Sequence, residues 1–386
     1  MVHELDYVLA GGGLQSGLIA LALLQREPAP RVAIVERGLR LGGNHTWCFH
    51  AADVPDTARP WLEPLVVRRW PGYEVIFPAL RRTLSQPYAA ISSERLDTVV
   101  RERLGRAAGC SIISGREVAR LEAQLVTLDD GRRLSARTVI DARGPTPSPS
   151  ESAGYQKFVG LEVRLERASP IALPIVMDAR TDQRRGLHFS YLLPFAPDRL
   201  LVEDTLFSDS PALDRAATRQ AALAYLERAG LAVSEVLREE AGVLPMPWAG
   251  QWPVASARDP IVAGVRGGWY HPGTGYSLPL AARLASVVAR AGQEHLPAAV
   301  DRLRRDVEPR ARFARRLNWM LFRAIRPELR WRVMQRFYRL PEAVINRHYA
   351  LELSALDQVR ILAAGRAWRE LRWPARGDLP APSESP

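Results

Sequence analysis

The feature that most constrains this chain is a glycine-rich turn near its start. The apolar run Tyr7-Val8-Leu9-Ala10 ends in Gly11-Gly12-Gly13, and a long apolar stretch then continues to Leu24. That pattern predicts a short buried strand, a tight turn and a helix. After Pro28 and Pro30 comes a second buried strand, Val32-Ala33-Ile34-Val35, closed by Glu36. In such a unit Gly11 permits the turn, Gly13 lets the backbone approach a pyrophosphate, and the helix amides face its oxygens. Glu36 follows Gly13 by 23 residues, where a carboxylate binds ribose hydroxyls. Ser16 replaces the third glycine and is small enough for close helix–strand packing.

One such unit does not separate a flavin from a nicotinamide dinucleotide. A flavin needs contacts much further along, because its ring reaches beyond the first unit. Two later segments resemble those of glutathione-reductase-like flavoproteins. The first is Val139-Ile140-Asp141-Ala142-Arg143-Gly144. The second is Ile261-Val262-Ala263-Gly264, followed by His271-Pro272-Gly273-Thr274-Gly275-Tyr276 and an alanine-rich helix. Val265 stands where the second segment usually carries an acid. Alone, His271 reads equally as a capping or packing histidine. The expected fold is α/β: a Rossmann-like FAD-binding domain of the glutathione-reductase type, a β-sheet substrate domain and a C-terminal helical region. The expected FAD-binding parts are residues 1–60, 90–150 and 255–295. The substrate domain takes 61–89 and 151–254. A basic helical region spans 296–373, and a Pro/Ser/Glu tail spans 374–386. Residues 145–152 read as a linker.

Composition narrows the function classes. Of 386 residues, 47% are hydrophobic, enough for large cores. Cys48 and Cys110 are too few for a disulfide framework or a metal knuckle, and no metal is expected. The formal net charge is +11, yet Lys157 is the only lysine, so the arginine excess reads as coding bias. No nucleic-acid module accompanies the charge, and nucleic acid is not expected as a partner. No signal peptide or spanning segment is expected, which implies a cytoplasmic protein. Between Arg302 and Arg339, arginines alternate with aromatic and aliphatic residues. This suits a membrane interface, or an amphipathic helix pair packed on the core.

Read together, several segments resemble the FAD-dependent lycopene cyclases of the bacterial carotenoid type. They include residues 6–14, Gly42-Gly43-Asn44-His45-Thr46-Trp47, Trp70-Pro71-Gly72-Tyr73-Glu74-Val75 and Tyr191-Leu192-Leu193-Pro194. Leu201-Val202-Glu203-Asp204-Thr205, residues 271–276 and Phe337-Tyr338-Arg339-Leu340-Pro341-Glu342 complete the set. The resemblance implies an isomerase that converts the ψ-ends of lycopene to β-rings through γ-carotene, without net redox change. It implies FAD in reduced form, NAD(P)H as electron donor, and a peripheral position on the inner membrane with lycopene and lipid as partners.

Such a reaction needs a protonated acid in a dry site, because alkenes are poor bases. The resemblance implies that Glu203 is that acid. It lies on a strand predicted over residues 199–207, paired with residues 188–194, where period-two alternation puts Leu201, Glu203, Thr205 and Phe207 on one face. Without the resemblance, Glu203 reads as a solvated edge-strand carboxylate. Asp204, on the opposite face, is the second catalytic candidate. Trp47, Tyr73, Tyr191 and Trp248 are candidates to face the substrate and its developing cation; aromatics are otherwise core. The alternative enzyme is an isoprenoid flavin reductase or monooxygenase, such as a geranylgeranyl reductase. The non-enzymatic alternative is a prenyl-holding protein like the Rab escort and dissociation-inhibitor proteins.

Overall fold

The computed structural model describes residues 4–144, 152–250, 256 and 258–364. Most of the expected 145–152 linker, positions 365–373 of the helical region and the 374–386 tail lie outside these residues.

The fold is α/β. Five parallel strands stand side by side in the order Ser111–Ser114, Val32–Glu36, Leu5–Ala10, Arg133–Asp141 and Ile261–Val262. Helices Leu14–Leu23, Ser93–Gly105 and Leu278–Arg290 pack together against this sheet. Their apolar faces join Leu9, Ile34 and Ile140 in the largest core. The helix Ser93–Gly105 starts at a side-chain cap: the Ser92 hydroxyl accepts the Arg95 amide at 3.2 Å. The antiparallel hairpin Val118–Glu122 and Leu125–Leu128 extends the sheet from the early part of Arg133–Asp141.

A second sheet is mostly antiparallel, in the order Val233–Pro247, Ala153–Leu165, Arg199–Ser208, Leu187–Ala196, Ile175–Asp178, Tyr73–Phe77 and Leu80–Leu84. Helix Arg215–Arg228 covers one face, burying Ala222 and Leu226 against Val159, Leu161 and Val202. Those two residues are four apart and so share one side of the helix. The other face meets the C-terminal helices, with Phe207, Leu321, Phe322, Ile325 and Tyr338 in a common core. Arg330 fastens this contact: it is fully buried, donates to the carbonyls of Leu321 and Phe322, and pairs with Asp209 at 3.0 Å.

A three-stranded sheet, Thr46–His50, Tyr88–Ser92 and Val66–Trp70, bridges the two larger ones. Here the expected boundary at residue 61 shifts. Trp61, Leu62 and Leu65 are buried in the first core, and the second sheet takes up the chain only at Tyr73. The reason is apolar burial: these three side chains fill the space beside helix Leu14–Leu23. No helix among the described residues is long and apolar enough to cross a membrane.

Candidate active site

The parallel strands end together at Ala10, Glu36, Asp141 and Val262, the edge where open α/β sheets bind ligands. Gly11 adopts φ +95°, and a Cβ there would lie 2.8 Å from the Ala142 carbonyl oxygen. Only glycine suits that turn. Gly13 caps the helix, and no heavy atom lies within 4 Å of where its Cβ would stand. Ser16 is fully buried, and its hydroxyl finds no partner among the described residues; nor does the Gln15 side-chain oxygen beside it. Orphaned polar atoms in the first turn of a helix fit an anionic group bound there.

Glu36 accepts the Gly12 amide at 2.6 Å and the Gly38 amide at 2.7 Å, one on each oxygen. Each oxygen keeps a second lone pair for a ribose hydroxyl. Asp141 is held by Arg143 at 2.8 Å and Arg266 at 3.0 Å. Burial opposes its charge, but the two guanidiniums outweigh burial and keep its pKa low. Gly264 turns the chain at φ +62° beside Gln15, and Gly144 is exposed just before residue 145. These residues gather at one edge and could hold a dinucleotide.

A cavity of about 380 Å³ opens between the start of helix Leu278–Arg290 and the second sheet. Gly273, Thr274 and Gly275 line one side; Trp47, Tyr191 and Glu203 line the other. His271 is not part of that lining. It is buried, accepts the Gly273 amide at Nδ1 and meets the His348 carbonyl at Nε2, so its ring ties the loop. Burial lowers its pKa to about 4, which keeps the ring neutral. Tyr73 also lies elsewhere: it is buried behind the wall, against His50 and Tyr88. Trp248 lies beside Phe322 with the rings tilted by 37°, outside the lining. Asp204 points to the opposite face of its strand and accepts His188 Nε2 at 2.7 Å. Burial works against the His188 imidazolium, but Asp204 more than offsets it and raises the pKa. These three placements follow from packing: large aromatics gain more by filling cores, and a carboxylate adjacent to Glu203 must face the other way.

Glu203 sits mid-strand with Tyr191 opposite it on one neighbouring strand and Gly160 on the other. Beyond Gly160 comes Glu240. A Cβ at Gly160 would meet Glu203 Cγ at 2.9 Å and Glu240 Cγ at 3.0 Å, so the glycine lets the two side chains converge. Each carboxyl acts on the other's titration. Burial, then the nearby Glu240 charge, raises the Glu203 pKa well above the ordinary carboxylate range. Glu240 is also raised by burial, but Arg238 at 2.9 Å and Thr46 at 3.2 Å both bind its Oε2 and oppose that rise. Arg238 and Thr46 thus favour the charge on Glu240, while burial favours the neutral form of Glu203. Arg238 reaches Thr46, Asn44 and Glu162 as well, so the segment Asn44-His45-Thr46 is tied directly to the pair.

A profile described as "Lycopene cyclase protein" matches residues 6–367. This chain belongs to the lycopene cyclase family. A "Lycopene beta-cyclase" of Pseudescherichia vulneris is 43% identical over 375 residues, covering 94% of this chain and 96% of that one. One from Pantoea ananas is 40% identical, covering 94% and 95%. Among solved structures, PqsL of Pseudomonas aeruginosa, described as a probable FAD-dependent monooxygenase, superposes with a TM-score of 0.61 at 16% identity. It covers 85% of this chain and 98% of its own. The flavin-dependent brominase Bmp2 gives 0.62 at 14%, covering 96% and 100%. At these identities the likeness is one of fold.

Sequence reasoning missed Glu240, Arg238 and Tyr88, which packs against Tyr73 behind the wall. The spacing Arg238-x-Glu240 puts both on one face of a strand, but that strand lies in a polar run that carries no apolar alternation to mark it.

Proposed function

We propose that the protein is a lycopene β-cyclase, an isomerase that closes the ψ-ends of lycopene into β-rings through γ-carotene. The observation that carries this reading is the Glu203 carboxyl at the edge of a largely apolar cavity, with Glu240 across Gly160 from it, surroundings that raise its pKa and favour the protonated acid. Glu203 gives its proton to the terminal alkene. The tertiary cation is attacked by a second double bond, and a ring proton then returns to the Glu203 carboxylate. Trp47 and Tyr191 in the lining, with Tyr276 and Tyr349, offer π-faces to the cation. Water is kept out by Phe158, Phe189 and Phe207.

FAD is the cofactor we assign to the edge formed by Gly11, Gly13, Ser16, Glu36, Asp141, Gly144 and Gly264. Residues 273–275 and the start of helix Leu278–Arg290 would receive its ring. In reduced form, with electrons from NAD(P)H, FAD would supply electron density beside the cation. We also propose a peripheral position on the cytoplasmic side of the inner membrane. A second, narrower apolar cavity of about 100 Å³ shares Phe207, Gly273, Thr274, Met334 and Tyr349 with the first. It ends against Ile361 and Leu362 of helix Ala355–Ala364. Leu356, Val359 and Leu362 on that helix are exposed, as is Arg332 on the helix packed against it. Apolar side chains beside exposed cations suit an anionic lipid surface.

Purified protein incubated anaerobically with FAD, NADPH, liposomes and lycopene is expected to yield β-carotene without matching NADPH consumption. Glu203→Gln is expected to lose at least ~100-fold of that rate, as for removal of a general acid, while retaining bound flavin. NADPH oxidised in proportion to a reduced or hydroxylated product would instead mark a redox flavoenzyme.

A further inference from the structure

We propose that Glu240 is a positioning residue for this reaction: anchored as a carboxylate by Arg238 and Thr46, it receives the hydrogen bond of the Glu203 carboxyl and so keeps the transferable proton on Glu203. The inference rests on the cyclase reading and adds to it a second carboxyl that never meets the substrate. Three observations converge on it. Glu203 lines the cavity, whereas Glu240 does not. Glu240 Oε2 is held at 2.9 Å by Arg238 and 3.2 Å by Thr46, while no guanidinium among the described residues hydrogen-bonds to Glu203. The residue between them on the central strand is Gly160, and any larger side chain there would push the two carboxyls apart.

The groups around the pair come from every neighbouring element. Strand Val233–Pro247 supplies Arg238 with Glu240, and strand Ala153–Leu165 supplies Glu162, bound to Arg238 at 3.2 Å. Strand Leu187–Ala196 supplies Tyr191 opposite Glu203. Strand Thr46–His50 supplies Thr46 and Cys48, with His45 just before it. Burial keeps the Tyr191 hydroxyl, the Cys48 thiol and the His45 ring neutral. Glu94 and Arg199 also act on this network, Glu94 through Arg238 and Arg199 through Glu162. Close to Glu203, then, Arg238 and Glu240 are the charges that decide its state.

The proton balance is closed. One proton leaves a Glu203 oxygen for the CH carbon of the terminal double bond, whose π-pair becomes the new C–H bond; the π-pair of a second double bond becomes the ring-closing carbon–carbon bond, and a ring proton returned to the same carboxylate leaves its electron pair behind as the ring double bond. No electron is gained or lost. Glu240 stays ionised throughout, so each turnover begins and ends with the pair holding one proton. A like charge at this distance disfavours ionisation of its neighbour. Activity that requires protonated Glu203 is therefore present below its pKa and lost as pH rises through it.

The test uses the flavin-loaded enzyme and the variants Glu240→Gln and Glu240→Asp. Two readouts are followed against pH: the rate of ring formation, and the infrared carbonyl stretch of a protonated carboxyl, assigned by its disappearance in Glu203→Gln. Removing the Glu240 charge is expected to move both the alkaline limb and the infrared midpoint down by ~1 pH unit or more. Glu240→Asp, which keeps the charge, should move them less. Should Glu240→Gln fail to fold, a smaller downward shift in Glu240→Asp carries the same prediction. A lower rate with both midpoints unmoved would overturn the proposal and leave Glu240 a purely structural residue. Wild-type enzyme that forms no ring would remove the cyclase reading and with it the positioning role, while the infrared titration would still report the state of the pair.

Discussion

Glu203 gains its chemistry from its surroundings. On an exposed strand the same carboxyl would be ionised at neutral pH; here burial and Glu240 raise its pKa and favour the protonated form. Gly160 is what brings the two carboxyls together, and it makes a second test at this scale. Gly160→Ala places a methyl group 2.9 Å from Glu203 Cγ and 3.0 Å from Glu240 Cγ. The side chains must swing apart, and ring formation is expected to fall ~10-fold or more. The thermal midpoint should move by only a few degrees, since an alanine is otherwise tolerated in a strand. Of the pair, the strand of Glu203 was readable from Leu200, Leu201 and Val202, but its role as the acid came from the family resemblance, since the residue alone reads as a solvated edge-strand carboxylate. Glu240 follows Glu239 and Arg238 in a run that looks solvated, and only the pairing with residues 153–165 turns it inward. Asp204, by contrast, could be assigned to the opposite face by parity alone, and His188 holds it there.

At the scale of elements, the turn from Leu5–Ala10 into Leu14–Leu23 forms part of the edge proposed for the cofactor, and residues 273–276 line the cavity that holds Glu203. Gly11→Ala must hold a side chain at φ +95° against the Ala142 carbonyl. Flavin content of the purified protein, measured by absorbance, is expected to drop sharply while the far-ultraviolet spectrum stays the same. The 271–276 loop gives a pH dependence. Burial depresses the His271 pKa to about 4, whereas the unfolded chain titrates near 6.5. Its contribution is therefore complete above pH 6.5. It is lost as pH falls from there towards 4, by roughly 1.4 kcal/mol per unit. His348, pushed down by burial and by His271, steepens the loss. Denaturant titrations at several pH values should show that slope, and His271→Gln should flatten it. The glycine turn was legible because its spacing is dictated by backbone geometry. The boundary near residue 61 was not, because Trp61 and Leu65 are apolar in either assignment and only packing chooses between the cores.

Across the whole molecule, the C-terminal helices do two things that their sequence left open. They bury Phe322, Tyr338 and the guanidinium of Arg330 against the second sheet, and they leave Leu356, Val359 and Leu362 outside. Alternating arginines and aromatics could not be divided between these roles, since a buried arginine and an exposed one look alike in a sequence. If the exposed side chains meet lipid, Leu356→Ser combined with Val359→Ser should weaken binding to anionic vesicles about tenfold. Raising the salt concentration should weaken the binding of the unaltered protein too. In detergent micelles the variant should cyclise as fast as the original. The Glu203–Glu240 pair has a further consequence at this scale. Lycopene is the same at both ends, and the cavity offers one acid. A molecule with one finished ring must withdraw, turn end for end and enter again, so the half-closed product should appear early in a time course, ahead of the fully closed one, and diminish as the starting hydrocarbon runs out.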